Sequence, residues 1–184
     1  MSYKIAVIVG STRPNRNGRT IADWFMKTAN HDDLDFELVD LAELDLPFLD
    51  EPIPPSQGKY EHDHTKAWSE KVASADGYVL VTSEYNHGPP APLKNALDFL
   101  YNEWSRKPFA FVGYGGAGGT RAIMQLEQIV TALSAVPLRG AINIVEPWSA
   151  VQGDTLNEDY VKGNVTALLE NLAWWTETLK AGRT

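Results

Sequence analysis

The chain has 184 residues, of which 43% are apolar, 22% charged and 10% aromatic, a composition that packs a core and lies far from intrinsic disorder. A formal net charge of -8 and a sequence pI near 4.9 disfavour nucleic acid and anionic membrane as partners, because either would be repelled by most of the surface. There is no cysteine, which excludes disulfides and thiolate chemistry, so any redox work must come from a bound cofactor.

The length suits one domain over residues 1–184, large enough to need no metal or disulfide. Residues 4–10 (KIAVIVG) form a β-branched run ended by glycine, the pattern of a central strand covered on both faces. The run is too short for a membrane span or signal peptide, which points to the cytoplasm. Ile21, Trp24, Phe25 and Thr28 then fall at helical spacing, and residues 36–41 (FELVDL) return to strand character, completing a βαβ unit. Residues 46–58 carry four prolines and a closing glycine and read as an irregular surface loop, in a position to cover a site.

Ala67, Trp68, Lys71 and Val72 predict a helix, followed by a third strand at 77–82 (GYVLVT) and the polar stretch Ser83-Glu84-Tyr85-Asn86-His87-Gly88. A helix from about Pro92 buries Leu93, Leu97 and Leu100 and shows a Lys94–Asp98 pair on its other face. A strand at 109–114, a glycine-rich turn and a helix through Ile123, Leu126, Val130 and Leu133 come next. A strand at 138–145 and a last helix using Val161, Val165, Leu168, Leu169, Leu172 and Leu179 end the chain. Strands alternating with helices predict a three-layer α/β fold around a doubly wound, five-stranded parallel sheet in the order 2-1-3-4-5. Such sheets gather their ligands outside the strand carboxyl ends.

Three loops fall at that rim. The first, residues 10–20 (GSTRPNRNGRT), joins hydroxyls, arginines and backbone amides at a helix N-terminus, which are the donors a phosphate needs. It has Gly18-Arg19-Thr20 where a nucleotide-hydrolysing P-loop has glycine, lysine and a hydroxyl, so NTP hydrolysis is rejected. In the second, Tyr85 offers a flat face and Asn86 an amide that donates and accepts. The third, residues 113–119 (GYGGAGG), contains G-x-G-x-x-G. It follows the fourth strand and has no acid some twenty residues on, so it is a ring-facing loop or a tight turn in place of a dinucleotide fingerprint.

Gly10-Ser11-Thr12-Arg13, the stretch from Thr82 to Gly88 and Leu93-Lys94-Asn95-Ala96-Leu97-Asp98, taken with the glycine-rich loop, resemble the NADPH-dependent FMN reductase family of flavodoxin-like proteins. The resemblance covers essentially the whole chain. It implies that Ser11, Arg13, Arg16, Asn17, Gly18 and Thr20 surround the FMN phosphate. It further implies that Glu84, Tyr85, Asn86 and His87 border the isoalloxazine ring and that Gly115, Gly116, Ala117 and Gly118 lie at its pyrimidine edge. No catalytic side chain and no metal are expected, since the flavin does the chemistry.

The implied activity is ping-pong hydride transfer from NADPH or NADH to quinones, azo compounds, free flavin or metal oxyanions, in a homodimer or homotetramer. Ser83 and Gly88 depart from the proline and serine common in the family. A flavin electron carrier without enzymatic activity and a cofactor-free regulatory protein are the rival readings.

Overall fold

The computed structural model describes residues 2–183. Its elements are β1 (Tyr3–Val9), α1 (Gly18–Thr28), β2 (Leu34–Asp40), the one-turn α2 (Leu41–Leu44), α3 (Asp63–Ala73), β3 (Gly77–Ser83) and α4 (Ala91–Asp98). After them come β4 (Pro108–Gly115), α5 (Thr120–Ala132), β5 (Val136–Pro137), β6 (Ile142–Val145), the one-turn α6 (Pro147–Ala150), the hairpin β7 (Val151–Gln152) and β8 (Thr155–Leu156), β9 (Val161–Lys162) and α7 (Val165–Ala181). The main sheet runs β2-β1-β3-β4-β6 in parallel, so the expected doubly wound order is present, with β6 as its fifth member.

Two boundaries differ from the sequence pattern. Of the strand expected at 138–145 only β6 forms, because the first pairing of this segment with β4 falls earlier, at β5, and Gly140 turns the chain between the two at φ 89. The last helix starts at Val165 and not at Val161: Asn164 caps it by accepting from the Ala167 amide, while β9 pairs antiparallel with β6 at the sheet edge.

Alternate residues of each central strand enter different cores, the consequence of a two-residue side-chain period. Ile8, Leu80, Phe109 and Phe111 pack with Trp68, Leu97 and Leu126 from α3, α4 and α5. Ile5, Val7, Val79, Val81 and Val112 pack with Phe25 of α1 and Leu169 and Leu172 of α7 on the other side. β3 and β4 are buried along their whole length, which explains their uninterrupted apolar character.

The amino-terminal rim of the sheet holds a buried cation. Lys107, 8% exposed, donates from Nζ to the carbonyls of Val72 and Ala73 and to the Tyr78 hydroxyl, each at 3.1 Å. Burial, helped by the nearby Arg183 charge, pulls the ammonium down to about 8.

At the opposite rim α1 approaches β4 so closely that a Cβ on Gly18 would lie 2.5 Å from the Tyr114 hydroxyl oxygen.

Both features give tests. Lys107 has a folded-state pKa below its unfolded one, so the unfolded chain binds more protons between about pH 8 and 10 and stability should rise across that window, by about 3 kcal/mol at most. In urea titrations Lys107→Met should remove the rise; an unchanged slope would assign it to another group. Gly18→Ala should lower stability by about 1–3 kcal/mol through overpacking. Adding Tyr114→Phe should recover part of that loss in thermal melts, and no recovery would show that the clash lies elsewhere.

Candidate functional site

The pairing of Val9 with Val81 and of Ser83 with Tyr114 brings the carboxyl ends of β1, β3 and β4 to one level. The loops that leave them therefore share a rim. In the first loop Ser11 is fully buried, and its hydroxyl lies 2.9 Å from that of Tyr85 in the second loop. Among the described residues, the amides of Ser11, Thr12 and Arg13 find no acceptor. α1 has no side-chain cap, because Asn17 sends its Nδ2 to the carbonyl of Pro147, 3.1 Å away. Free amides at an uncapped helix N-terminus are the donors an anion would satisfy.

The arginines of this segment are not equivalent. Arg16 is paired at 2.5 Å with Asp40, whose side chain is 1% exposed, and Arg19 contacts Asp23, Asp40 and Glu43. Arg13 pairs with no carboxylate among the described residues and stays exposed beside the loop. Thr20 points its hydroxyl toward the Gly153 carbonyl at 3.5 Å. Ser11, Arg13 and Tyr85 thus come together; Thr20 turns to Gly153, and Arg16 binds Asp40 through Nη2 while its buried Nε finds no partner among the described residues. Against the upward push of partial burial, the nearby hydroxyls of Ser11 and Ser83 and then the guanidinium of Arg13 hold the Tyr85 phenol below its usual range.

The second loop is a tight hairpin. Tyr85 and Gly88 exchange two backbone bonds of 2.9 Å, and Asn86 and His87 between them take φ values of 50 and 70. This is the primed turn that a two-residue hairpin needs, tolerated by asparagine and strained for histidine. α5 props it from two positions one turn apart. Gln125 donates to the His87 carbonyl at 2.8 Å, and Arg121 binds the Glu84 carboxylate through Nε at 2.7 Å and through its amide at 3.0 Å. Burial raises the Glu84 pKa, but the Arg121 bonds outweigh it and keep the carboxyl below its usual range. The Glu84 side chain is therefore a brace, and since its amide donates to the Tyr114 carbonyl at 3.1 Å, only its carbonyl is left for a ligand.

In the third loop Gly119, at φ 75, could not take a Cβ, which would lie 2.6 Å from the Tyr114 amide; Asn143 fixes the neighbouring turn by donating to the Gly118 carbonyl at 2.8 Å. These glycines serve a close strand-to-helix turn, and only Gly116 and Ala117 at its tip are exposed. Beneath the rim Ser83 and Tyr114 are buried, and their hydroxyls find no hydrogen-bond partner among the described residues. Burial pushes the Tyr114 phenol up to about 12. Unpartnered buried hydroxyls next to free amides and an unpaired arginine are what a polar ligand would satisfy.

A cleft of about 510 Å³ borders the first loop at Thr12 and is lined by Leu46, Phe48, Pro92 and Asn95 among others. Asn95 accepts from the Leu49 amide and donates to the Pro47 carbonyl, so the proline-rich segment is tied down there and does not cover the rim freely. Lys94 and Asp98 form the expected i,i+4 pair at 2.5 Å. The sequence pattern gives no sign of Arg121, Gln125, Asn143 or Trp148 as site residues. Arg121 alone has a sequence signal, as a cation in the first turn of the helix that follows the glycine-rich third loop.

The family described as NADPH-dependent FMN reductase matches residues 3–149. An NAD(P)H-dependent FMN reductase of Schizosaccharomyces pombe is 48% identical over 129 residues, which are 68% of this chain and 64% of that protein's length. A 2-hydroxy-1,4-benzoquinone reductase of a Burkholderia species is 34% identical over 143 residues, 76% of this chain and 70% of that one. Among solved structures, the flavoenzyme NAD(P)H:(acceptor) oxidoreductase of Paracoccus denitrificans shares the fold with a TM-score of 0.72 at 22% identity, over 97% of this chain and 98% of the other. With the parallel sheet and the three-loop rim, these matches show that the chain belongs to the NADPH-dependent FMN reductase family of oxidoreductases.

Proposed function

We propose that the rim binds FMN and that the chain, as a single domain, uses it to pass reducing equivalents from NAD(P)H to a small quinone-class acceptor. The observation that carries this reading is the convergence of donors: three free amides, Arg13 with no carboxylate partner among the described residues, and the buried hydroxyls of Ser83 and Tyr114 at one helix N-terminus and one sheet rim. The Burkholderia relative, named for a benzoquinone, supports the acceptor class.

Bound FMN would supply the hydride-accepting and hydride-donating chemistry. The chain's own residues bind and orient. The amides of residues 11–13, Arg13 and the α1 N-terminus at Asn17 and Gly18 hold the phosphate. Ser11 fixes the Tyr85 ring through the hydroxyl contact, and the backbone of Glu84, Asn86 and His87 borders the isoalloxazine. The backbone from Gly115 to Gly118 sits at the pyrimidine edge, where amides stabilise negative charge. Arg16 acts at one remove, by holding Asp40, which in turn accepts from the Ala42 amide at the start of α2.

The finer setting is a homodimer or homotetramer in the cytoplasm. Exposed Phe48 and Met124 favour self-association, and a need for NAD(P)H favours the cytoplasm. No helix among the described residues is long and apolar enough to cross a membrane.

Adding FMN to the protein stripped of flavin should quench the flavin fluorescence, and Arg13→Ala should weaken binding by about tenfold or more, the cost of one charge-assisted contact. Anaerobic NADPH should then bleach the bound flavin, and a quinone should restore its colour. A flavin that stays fully fluorescent in the presence of excess protein would falsify the proposal.

A further inference from the structure

The helix α6 is a single turn, yet several independent features fix it in place. Glu146 precedes it in the left-handed region, at φ 47 and ψ 56, a costly conformation for a residue with a side chain. The Glu146 carbonyl accepts from the amides of Ser149 and Ala150 at 2.8 and 3.0 Å, and the Pro147 carbonyl accepts from Asn17 of the first loop. Pro147 and Ala150 are buried. The large side chain this turn projects outward is Trp148, which is 67% exposed. Its Cη2 lies 3.7 Å from the position of a Cβ built on Gly116 at the tip of the third loop. An indole is thus held beside the glycine-rich loop by a turn that is itself tied to the first loop, with most of its surface open to solvent.

We propose that Trp148 is the stacking surface for the electron acceptor, and that it makes the site favour planar, electron-poor rings of the quinone class. This deepens the flavin-site reading above and rests on it. Indole is large, rigid and electron-rich, so it gains most from an offset stack with an electron-poor ring. Leaving that area exposed is unfavourable in the free protein, and a strained turn holding it there is the kind of local cost found at binding sites. Phe48 and Trp174 are also exposed, but neither is tied to two of the three rim loops.

The test compares the FMN-loaded protein with its Trp148→Ala and Trp148→Phe variants. Steady-state KM is measured for a naphthoquinone and for ferricyanide, a compact non-planar acceptor, and equilibrium dialysis measures naphthoquinone binding to the oxidised protein without NADPH. Trp148→Ala should raise the ratio of the two KM values by about tenfold and weaken dialysis binding to a similar degree, while Trp148→Phe should restore most of both. Equal KM changes for the two acceptors, or unchanged dialysis binding, would overturn the proposal. So would a loss confined to FMN affinity, which would make Trp148 part of the flavin cradle. A wild-type protein that binds no FMN would instead sink the underlying flavin reading, and this one with it.

Discussion

Three neighbouring strands, β1, β3 and β4, are held in parallel register by burial on both faces, and the rim chemistry depends on that register. With Ser83 opposite Tyr114 and Val81 opposite Val9, the chain turns away from the sheet three times at one height. A shift of one residue in β4 would send Tyr114 to the other face, away from α1 and Gly18. The row of hydroxyls formed by Ser11, Ser83, Tyr85 and Tyr114 exists because apolar side chains farther down the strands allow no other alignment.

On that frame an acidic protein gathers hydrogen-bond donors at one rim. Its net charge is -8, and the local solution is selective neutralisation. Asp40 at the end of β2 absorbs Arg16 and part of Arg19, and Glu84 absorbs Arg121. Arg13 is left unpaired beside free amides. The lowered Tyr85 phenol reports the same local excess of donors. The brace between Glu84 and Arg121 also carries a mechanical role, since it joins the second loop to the helix that ends the third, so the two loops hold their spacing as a unit.

The strands, their order and the three loops were legible in the sequence because doubly buried strands leave unbroken apolar runs and the loops between them are rich in glycine and polar residues. What escaped has physical causes. Val161 matched the helical spacing of the residues after it, but the Asn164 cap outweighed that periodicity. Arg16 was grouped with Arg13 because both lie in one loop, whereas its partner Asp40 stands a strand away. Trp148 sits in a four-residue turn, too short for any periodicity, and the left-handed Glu146 that aims it carries no glycine to mark it. The hold on the hairpin at His87 has no sequence signal either, since Gln125 binds its backbone carbonyl and not its side chain.

The two ends of the sheet divide their duties. At one end Lys107 sits buried among carbonyls and Tyr78, a knot of the kind whose loss is felt by the whole fold. At the other, Trp148 projects from a short turn whose side chain meets mostly water. Replacements there have little folding stability to forfeit, so descendants of this chain can exchange the indole for another group and change diet while the scaffold endures.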